Sequence, residues 1–371
     1  MFQGTKMKKF VVILAIVMVA SFALAAIIFV GEYGRNGFAG LENNLRPADA
    51  IDVNEEKTEA ISGIKNIKVS TSSDDITFIA TDGKEVKAHY HGYYKSNDKN
   101  FKPEFTVTSI GDELTIKVSK SVGMLTIGNL SYSTDLKLDI YLPRSYSDNL
   151  QINVTSAKIN IDELNLNNFI CKTSSGDVAA GMINAKKAEL GTASGSTKIS
   201  GSYDSFVFNS TSGDFSTNGI TAANANFSTA SGEVRGNVSS DVLQLHSTSG
   251  DLTLDPVNAK KCTVDTASGH TTLRGVPGEI YATSSSGDID LEYKEYNHNI
   301  TIKTASGKTE IKLPENPEFA LSFKTSAGSG KCAFPLTITG AQKRNNIEGT
   351  VTSNRNSISV SSSSGDLTIK R

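Results

Sequence analysis

Helical periodicity is nearly absent from this chain after residue 30, and tryptophan is absent altogether. The missing helical pattern excludes helix bundles and alternating strand–helix architectures. Cysteine occurs only three times, at Cys171, Cys262 and Cys332. An odd count with no metal-ligand spacing speaks against a disulfide framework or a zinc site, and the three read as small apolar residues of the interior. Charged residues make up 20% of the chain, its formal net charge is −2, and no basic stripe carries interleaved aromatics. Nucleic-acid binding is excluded on that ground. The five histidines, His89, His91, His246, His270 and His298, fall in no catalytic motif. The Gly-rich nonapeptide of calcium-binding solenoids is missing too.

What is present is a repeat. Asp177, Asp214, Asp251 and Asp288 lie 37 residues apart, and each closes a motif such as Thr211-Ser212-Gly213-Asp214. A sister motif without the aspartate sits between them: Thr192-Ala193-Ser194-Gly195, Thr229-Ala230-Ser231-Gly232, Thr266-Ala267-Ser268-Gly269 and Thr304-Ala305-Ser306-Gly307. A Ser-Gly therefore recurs every 18 to 20 residues, and such short self-similarity marks a solenoid. Apolar residues lie seven and five positions before the glycine (Phe206 and Phe208, Leu243 and Leu245) and two and four after it (Leu252 and Leu254, Ile289 and Leu291). Alternation on both sides of the Ser-Gly is strand periodicity. Strand, glycine bend, strand and return loop use 18 to 19 residues, one coil of a single-stranded parallel β-helix in an all-β protein. The glycine is expected to supply backbone freedom for the bend. A 37-residue coil is the alternative, but it would stack the aspartates on adjacent rungs about 4.8 Å apart, so the shorter coil is favoured.

Less regular coils extend the pattern. Ile358, Val360, Gly365, Asp366, Leu367 and Ile369 form one; Leu321, Phe323 and Gly328 mark another. Leu150, Ile152, Val154, Ile159 and Ile161 fit with Ala157 in the glycine place, and Ile67, Val69, Ile76 and Phe78 fit with Asp74 there. Phe105-Thr106-Val107 and Leu114 to Val118 flank Gly111-Asp112, the pattern of a hairpin. Pro314, Pro317, Pro335 and the loop Lys343-Arg344-Asn345-Asn346 interrupt the regular ladder.

Phe10 to Val30 is a charge-free run of 21 residues, long enough to span a bilayer as a helix. Lys6, Lys8 and Lys9 precede it and Glu32 follows, which places the amino terminus in the cytoplasm and the remainder outside. The alternative is a signal peptide cleaved after Ala23-Leu24-Ala25; the apolar run continues to Val30, which favours a retained signal anchor. The resulting division is a cytoplasmic tail at 1–9, a transmembrane anchor at 10–30, a polar linker at 31–60, an irregular β-rich start of the solenoid at 61–148, and regular repeats at 149–371.

The rungs of the type Thr173 to Val178, with the strand Leu138 to Pro143 just before the repeats, resemble a bacterial β-strand-repeat family labelled as adhesins and related to the toastrack domains of cell-envelope stress systems. The resemblance covers roughly residues 60–371. It implies an extracytoplasmic, membrane-associated β-helical module, and it carries over no catalytic residue.

The aspartate column, Asp177, Asp214, Asp251, Asp288 and Asp366, is expected to cap backbone N–H groups at the bends; calcium held between rungs is the alternative. The Thr/Ser column three before each glycine is a hydroxyl ladder without a base beside it. His89 and His91 share one strand face, but no third metal ligand is evident nearby, so a solvated face is expected. His246 and His270 read as solvated. Lys186-Lys187, Lys260-Lys261 and Lys343-Arg344 read as solvated loop charges, with anionic wall polymer or lipid headgroups as the alternative contact. No catalytic, cofactor-binding or metal residue is assigned, and no cofactor is expected. The expected function is a non-enzymatic, membrane-anchored solenoid contacting envelope proteins or cell-wall and surface glycans. A cell-surface carbohydrate-active β-helix enzyme is the alternative.

Overall fold

The computed structural model describes residues 49–98, 101–121, 132–338 and 343–371; the apolar run at 10–30 lies outside them. All regular structure among the described residues is β. Phe208 fixes the coil length. It sits beside Leu190 on one side and Phe227 on the other, 18 and 19 residues away along the chain, in parallel register. The 37-residue coil is thereby excluded.

Each regular coil has three sides. In one, Leu252 and Leu254, then Val257 and Ala259, then Cys262 and Val264 point inward, and the inward phase shifts between the runs. The expected return loop is thus a third strand segment. The corners are bulges such as that between Gly236 and Val238, so that Leu252–Thr266 is continuous strand. Its inward positions include Ala185, Ala222, Ser240 and Ala259, too small or too polar to show as apolar alternation, which is why this side reads as loop.

The inward columns make one long apolar core. One runs Ile67, Leu150, Phe169, Ala188, Phe206, Ala225, Leu243 and Cys262, all buried. Phe and Ala alternate on successive rungs, so large side chains fill the space left by small ones. The column of Phe208 and Phe227 meets it, and Phe215 packs 4.7 Å from Phe208 and 5.2 Å from Phe227 by ring centroid. Each such ring contributes about 1.5–3 kcal/mol by leaving water. Cys171 and Cys262 are buried in these columns as free thiols; Cys332 is half-buried.

The motif glycines serve close approach more than bending. A Cβ on Gly195 would stand 2.0 Å from the carbonyl oxygen of Gly176, and one on Gly232 would stand 2.0 Å from that of Gly213. Among the repeat glycines from Gly176 to Gly307, only Gly307, at φ 105°, has a left-handed backbone. The bend itself is closed by the hydroxyl three residues earlier: the Gly232 N–H donates to Thr229 Oγ1 at 2.8 Å, and the Gly176 N–H to Thr173 Oγ1 at 2.8 Å. This accounts for the hydroxyl ladder as structure.

Both ends are stacked out of sequence order. At one end, Glu113–Ser121 and Tyr132–Pro143 lie outside Asn66–Thr71 and Asp75–Thr81, which rest on Asn149–Val154 and Ile159–Ile161. Antiparallel strands then cover the outermost coil: Lys102–Ile110 through the hairpin at Gly111-Asp112, and Glu85–Ser96. The strand Ile51–Ala60 pairs with Glu85–Ser96. The expected linker therefore gives way to strand at residue 51, not 60; a largely exposed edge strand lacks the apolar alternation that would reveal it. At the other end, Ser357–Ser362 and Leu367–Lys370 insert between the coil of Ile300–Thr304 and Thr309–Lys312 and that of Phe319–Thr325 and Gly330–Cys332. Asn346–Val351 covers Phe319–Thr325 in antiparallel fashion.

Candidate functional site

The aspartate column is a capping device, with a partner that the sequence does not reveal. Asp251 Oδ1 accepts from the N–H of His270 at 2.8 Å, Asp214 from Glu233 at 2.8 Å, and Asp177 from Ser196 at 2.8 Å. Asp288 and Asp366 accept from Lys308 and Ser329, each at 2.7 Å. Every one of these donors lies on the next coil of the stack, so the carboxylates tie rungs together rather than closing their own bends. Asp75 repeats the contact with Lys158 N–H at 2.9 Å. An aspartate thus alternates with Ser196, Glu233, His270 or Lys308 from coil to coil, about two strand spacings between aspartates. The calcium reading would need six to eight converging oxygens, which this geometry does not gather.

A shallow groove of about 380 Å³ crosses the side of the N-terminal coils that carries Ile67, Leu150 and Phe169. Its floor is a column of Asn66, Asn149, Asn168, Lys187 and Ser205 in register on successive rungs. The amides are tied: Asn149 Nδ2 donates to Asn66 Oδ1 at 2.9 Å, and Asn168 Nδ2 donates to Asn149 Oδ1 at 2.6 Å. The next outward column is Lys68, Gln151, Ile170, Glu189 and Val207. Glu189 pairs with Lys172 at 2.8 Å, and Lys68 with Glu113 at 2.6 Å. Amide, ammonium and small apolar groups therefore alternate along an open track, where carboxamides offer both donors and acceptors. Lys187, read in sequence as a loop charge, is part of this track; Lys260 pairs with Asp241 at 2.7 Å.

The N-terminal cap brings together residues that are far apart in sequence. Asp74, in the glycine place of its coil, is 1% exposed and lies 2.9 Å from Lys120 Nζ, whose side chain is 9% exposed. Lys120 also donates to Ser73 Oγ at 2.6 Å, and Thr71 Oγ1 donates to Asp74 Oδ2 at 2.9 Å. The buried Tyr90 hydroxyl faces the Asp74 carboxylate. Burial first, and then the charge of Asp74, hold its phenol well above the ordinary range. On the outer face of the same cap, His89 and His91 meet a third polar group, Asp139, which the strand Tyr132–Pro143 places directly across from His89. His91 Nε2 is 2.9 Å from Asp139 Oδ2, and His89 Nε2 is 2.7 Å from Asn54 Oδ1. The expectation that no third ligand stands near the two histidines is thus corrected. Asp139 lies about fifty residues away, and only the antiparallel register brings it in.

The remaining histidines join no such group among the described residues. His270 pairs with Asp290 at 3.2 Å on an exposed face. Burial pushes the thiols of Cys171 and Cys262 up to about 12, which leaves them protonated and inert near neutrality.

No curated protein matches the chain. Three solved structures are similar to it. One, described as a "putative cell adhesion protein" from Clostridium sporogenes, is 11% identical with a TM-score of 0.24, and the match covers 86% of this chain and 99% of that one. A "putative adhesin" from Bacteroides fragilis is 13% identical with a TM-score of 0.37, covering 67% and 98%. A "putative lipid binding protein" from Parabacteroides distasonis is 15% identical with a TM-score of 0.41, covering 86% and 97%. The family model Toastrack DUF4097 matches twice in succession, over residues 64–205 and 200–370. With nearly the whole solenoid accounted for by those two matches, this chain belongs to the Toastrack DUF4097 family.

Proposed function

We propose that the protein is a non-enzymatic, membrane-anchored interaction module, an adhesin or envelope-stress scaffold whose solenoid stands outside the cell. In this reading residues 1–9 are cytoplasmic, 10–30 form the anchor, the polar segment that follows is a tether, and the β-rich body binds envelope proteins or cell-wall and surface glycans. The observation that carries the reading is the open track of mixed amide, ammonium and aliphatic groups. Asn66, Asn149 and Asn168 with Gln151 and Lys187 present hydrogen-bonding groups at rung spacing, and Ile170 and Val207 present half-buried apolar patches between them. A sugar chain matches such a track, since its hydroxyls pair with amides and ammonium groups while its C–H faces lie on aliphatic side chains. Its one lining carboxylate, Glu189, is already paired with Lys172, whereas glycoside hydrolysis calls for two carboxyls flanking the scissile bond. The test is retention of the full-length protein on purified cell-wall glycan. Wild type should be retained, and Gln151→Ala combined with Lys187→Ala should elute earlier. Equal retention of both would remove the track as the contact. Release of new reducing ends from the glycan would replace the binding module with the carbohydrate-active enzyme.

A further inference from the structure

His89 and His91 are alternate residues of Glu85–Ser96, so both side chains stand on its outer face. Their rings stack with centroids 4.5 Å apart. Asp139 faces His89 from the neighbouring antiparallel strand, and one ligand atom from each of the three residues lies within 4.8 Å of the others. All three are half-buried. Among the described residues this is the one place where three such groups converge. We propose that His89, His91 and Asp139 bind a divalent transition-metal ion of the zinc class.

The donor set decides the class of ion. Two imidazole nitrogens and one carboxylate oxygen suit zinc, cobalt, nickel or copper, whereas calcium and magnesium take oxygen almost exclusively. Bonds of about 2.0–2.1 Å in a tetrahedral arrangement hold donor atoms roughly 3.3 Å apart. The present spacing reaches that with small side-chain rotations, and the strand pairing that sets it does not have to change. Asn54 lies behind His89 on the strand Ile51–Ala60 and restrains its ring, as outer partners of metal-bound histidines commonly do. Three protein ligands leave a fourth position open to water or to a donor from another molecule. The ion would sit on the cap, apart from the glycan track on the coils, so either assignment can fail without the other.

The experiment uses the full-length chain, stripped with a chelator and then dialysed. Zinc chloride is titrated by calorimetry, and cobalt chloride by visible absorption. One equivalent of zinc should bind saturably, and cobalt should give the absorption of a four- or five-coordinate ion. The double variant His89→Gln/His91→Gln should bind zinc at least ten-fold more weakly with an unchanged far-ultraviolet circular dichroism spectrum. Asp139→Asn should weaken it as well, and zinc should raise the melting temperature of wild type alone. Should the double variant fold poorly, histidine modification of the wild type, mapped by mass spectrometry, gives the same answer: zinc should protect His89 and His91 and leave His246 and His298 reactive. Wild type without saturable zinc binding, undiminished binding by the folded double variant, or modification of His89 and His91 unaffected by zinc would each overturn the assignment. Calcium binding there as tightly as zinc would overturn the class of ion.

Discussion

A glycine whose Cβ has no room makes a sharper test of rung stacking than any apolar residue. Gly232→Ala forces a methyl to within 2.0 Å of a backbone carbonyl that cannot turn aside, and is expected to cost about 3 kcal/mol or more, the upper end for overpacking. Asp251→Ala removes a cap from the His270 N–H at a solvated edge, and should cost roughly 0.5–1 kcal/mol, with no change in wild-type melting on adding calcium. Urea unfolding of the two variants checks the order; a larger loss at Asp251 would show that the carboxylate, not the glycine contact, holds the rungs. In the cap, Lys120→Met strands the buried Asp74 carboxylate and should cost about 3–5 kcal/mol. The Ser-Gly-Asp motif was legible as a bend with a capping aspartate, because those residue types have strong local preferences. That the glycine serves the neighbouring coil, and that the aspartate does too, was not legible, since both roles depend on a contact 18 or 19 residues away. Asp139 and Lys120 were missed for the same reason at longer range.

Strand segments behave as members of columns, so the damage from one substitution should follow the stack rather than the sequence. Phe208→Asp buries an unpaired carboxylate among Leu190, Phe227 and Phe215, and hydrogen exchange should quicken first over residues 185–235. Exchange that rises uniformly along the chain would contradict nearest-neighbour coupling. Toward the carboxyl end, exposed charges also form columns: Arg274, Glu292 and Lys312 follow one another across rungs. Glu310 accepts from Lys308 and from Lys370 on the adjoining coil, and the Lys308 contact first, then Lys370, holds its carboxyl below the usual carboxylate range. A depressed carboxylate contributes stability above its unfolded value and loses it as pH falls through its folded one. Protection of the Leu367–Lys370 amides, taken relative to the intrinsic exchange rate at each pH, should therefore fall on acidification below the usual carboxylate range, and salt should blunt the effect. Protection that stays flat across that range would remove the charge column from the account. The coil length and the two apolar columns were legible because Phe206, Phe208, Leu243 and Leu245 repeat with strand alternation. The third side was not, because inward residues such as Ala222, Ser240 and Ala259 are too small or too polar to stand out from their neighbours.

The coils form a parallel stack, and a parallel stack left open ends in unpaired strand edges that invite association. Antiparallel strands cover both ends here: Glu85–Ser96 and Lys102–Ile110 at one, Asn346–Val351 at the other. Membrane anchoring at residues 10–30 is tested by carbonate extraction, which should leave the full-length protein in the membrane fraction; secreted protein beginning near Ala26 would show cleavage instead. Ending the chain at residue 352 removes both strands of the coil beneath Phe319–Thr325 and leaves Ile300–Thr304 and Thr309–Lys312 uncovered, and sedimentation should show it self-associating. A monodisperse, monomeric truncation would mean that the outer coil docks without the one beneath it. The order of stacking also sets an order in time. A ribosome delivers residues 319–351 before 357–370, yet the later segment lies underneath the earlier one. The outer layer at this end cannot settle on its seat until residues 357–370 have left the ribosome, because the seat has not yet been made. Delivery of that segment is what closes the edge, so a chain released before it stays recognisable by its open end to any chaperone or protease that reads exposed strands.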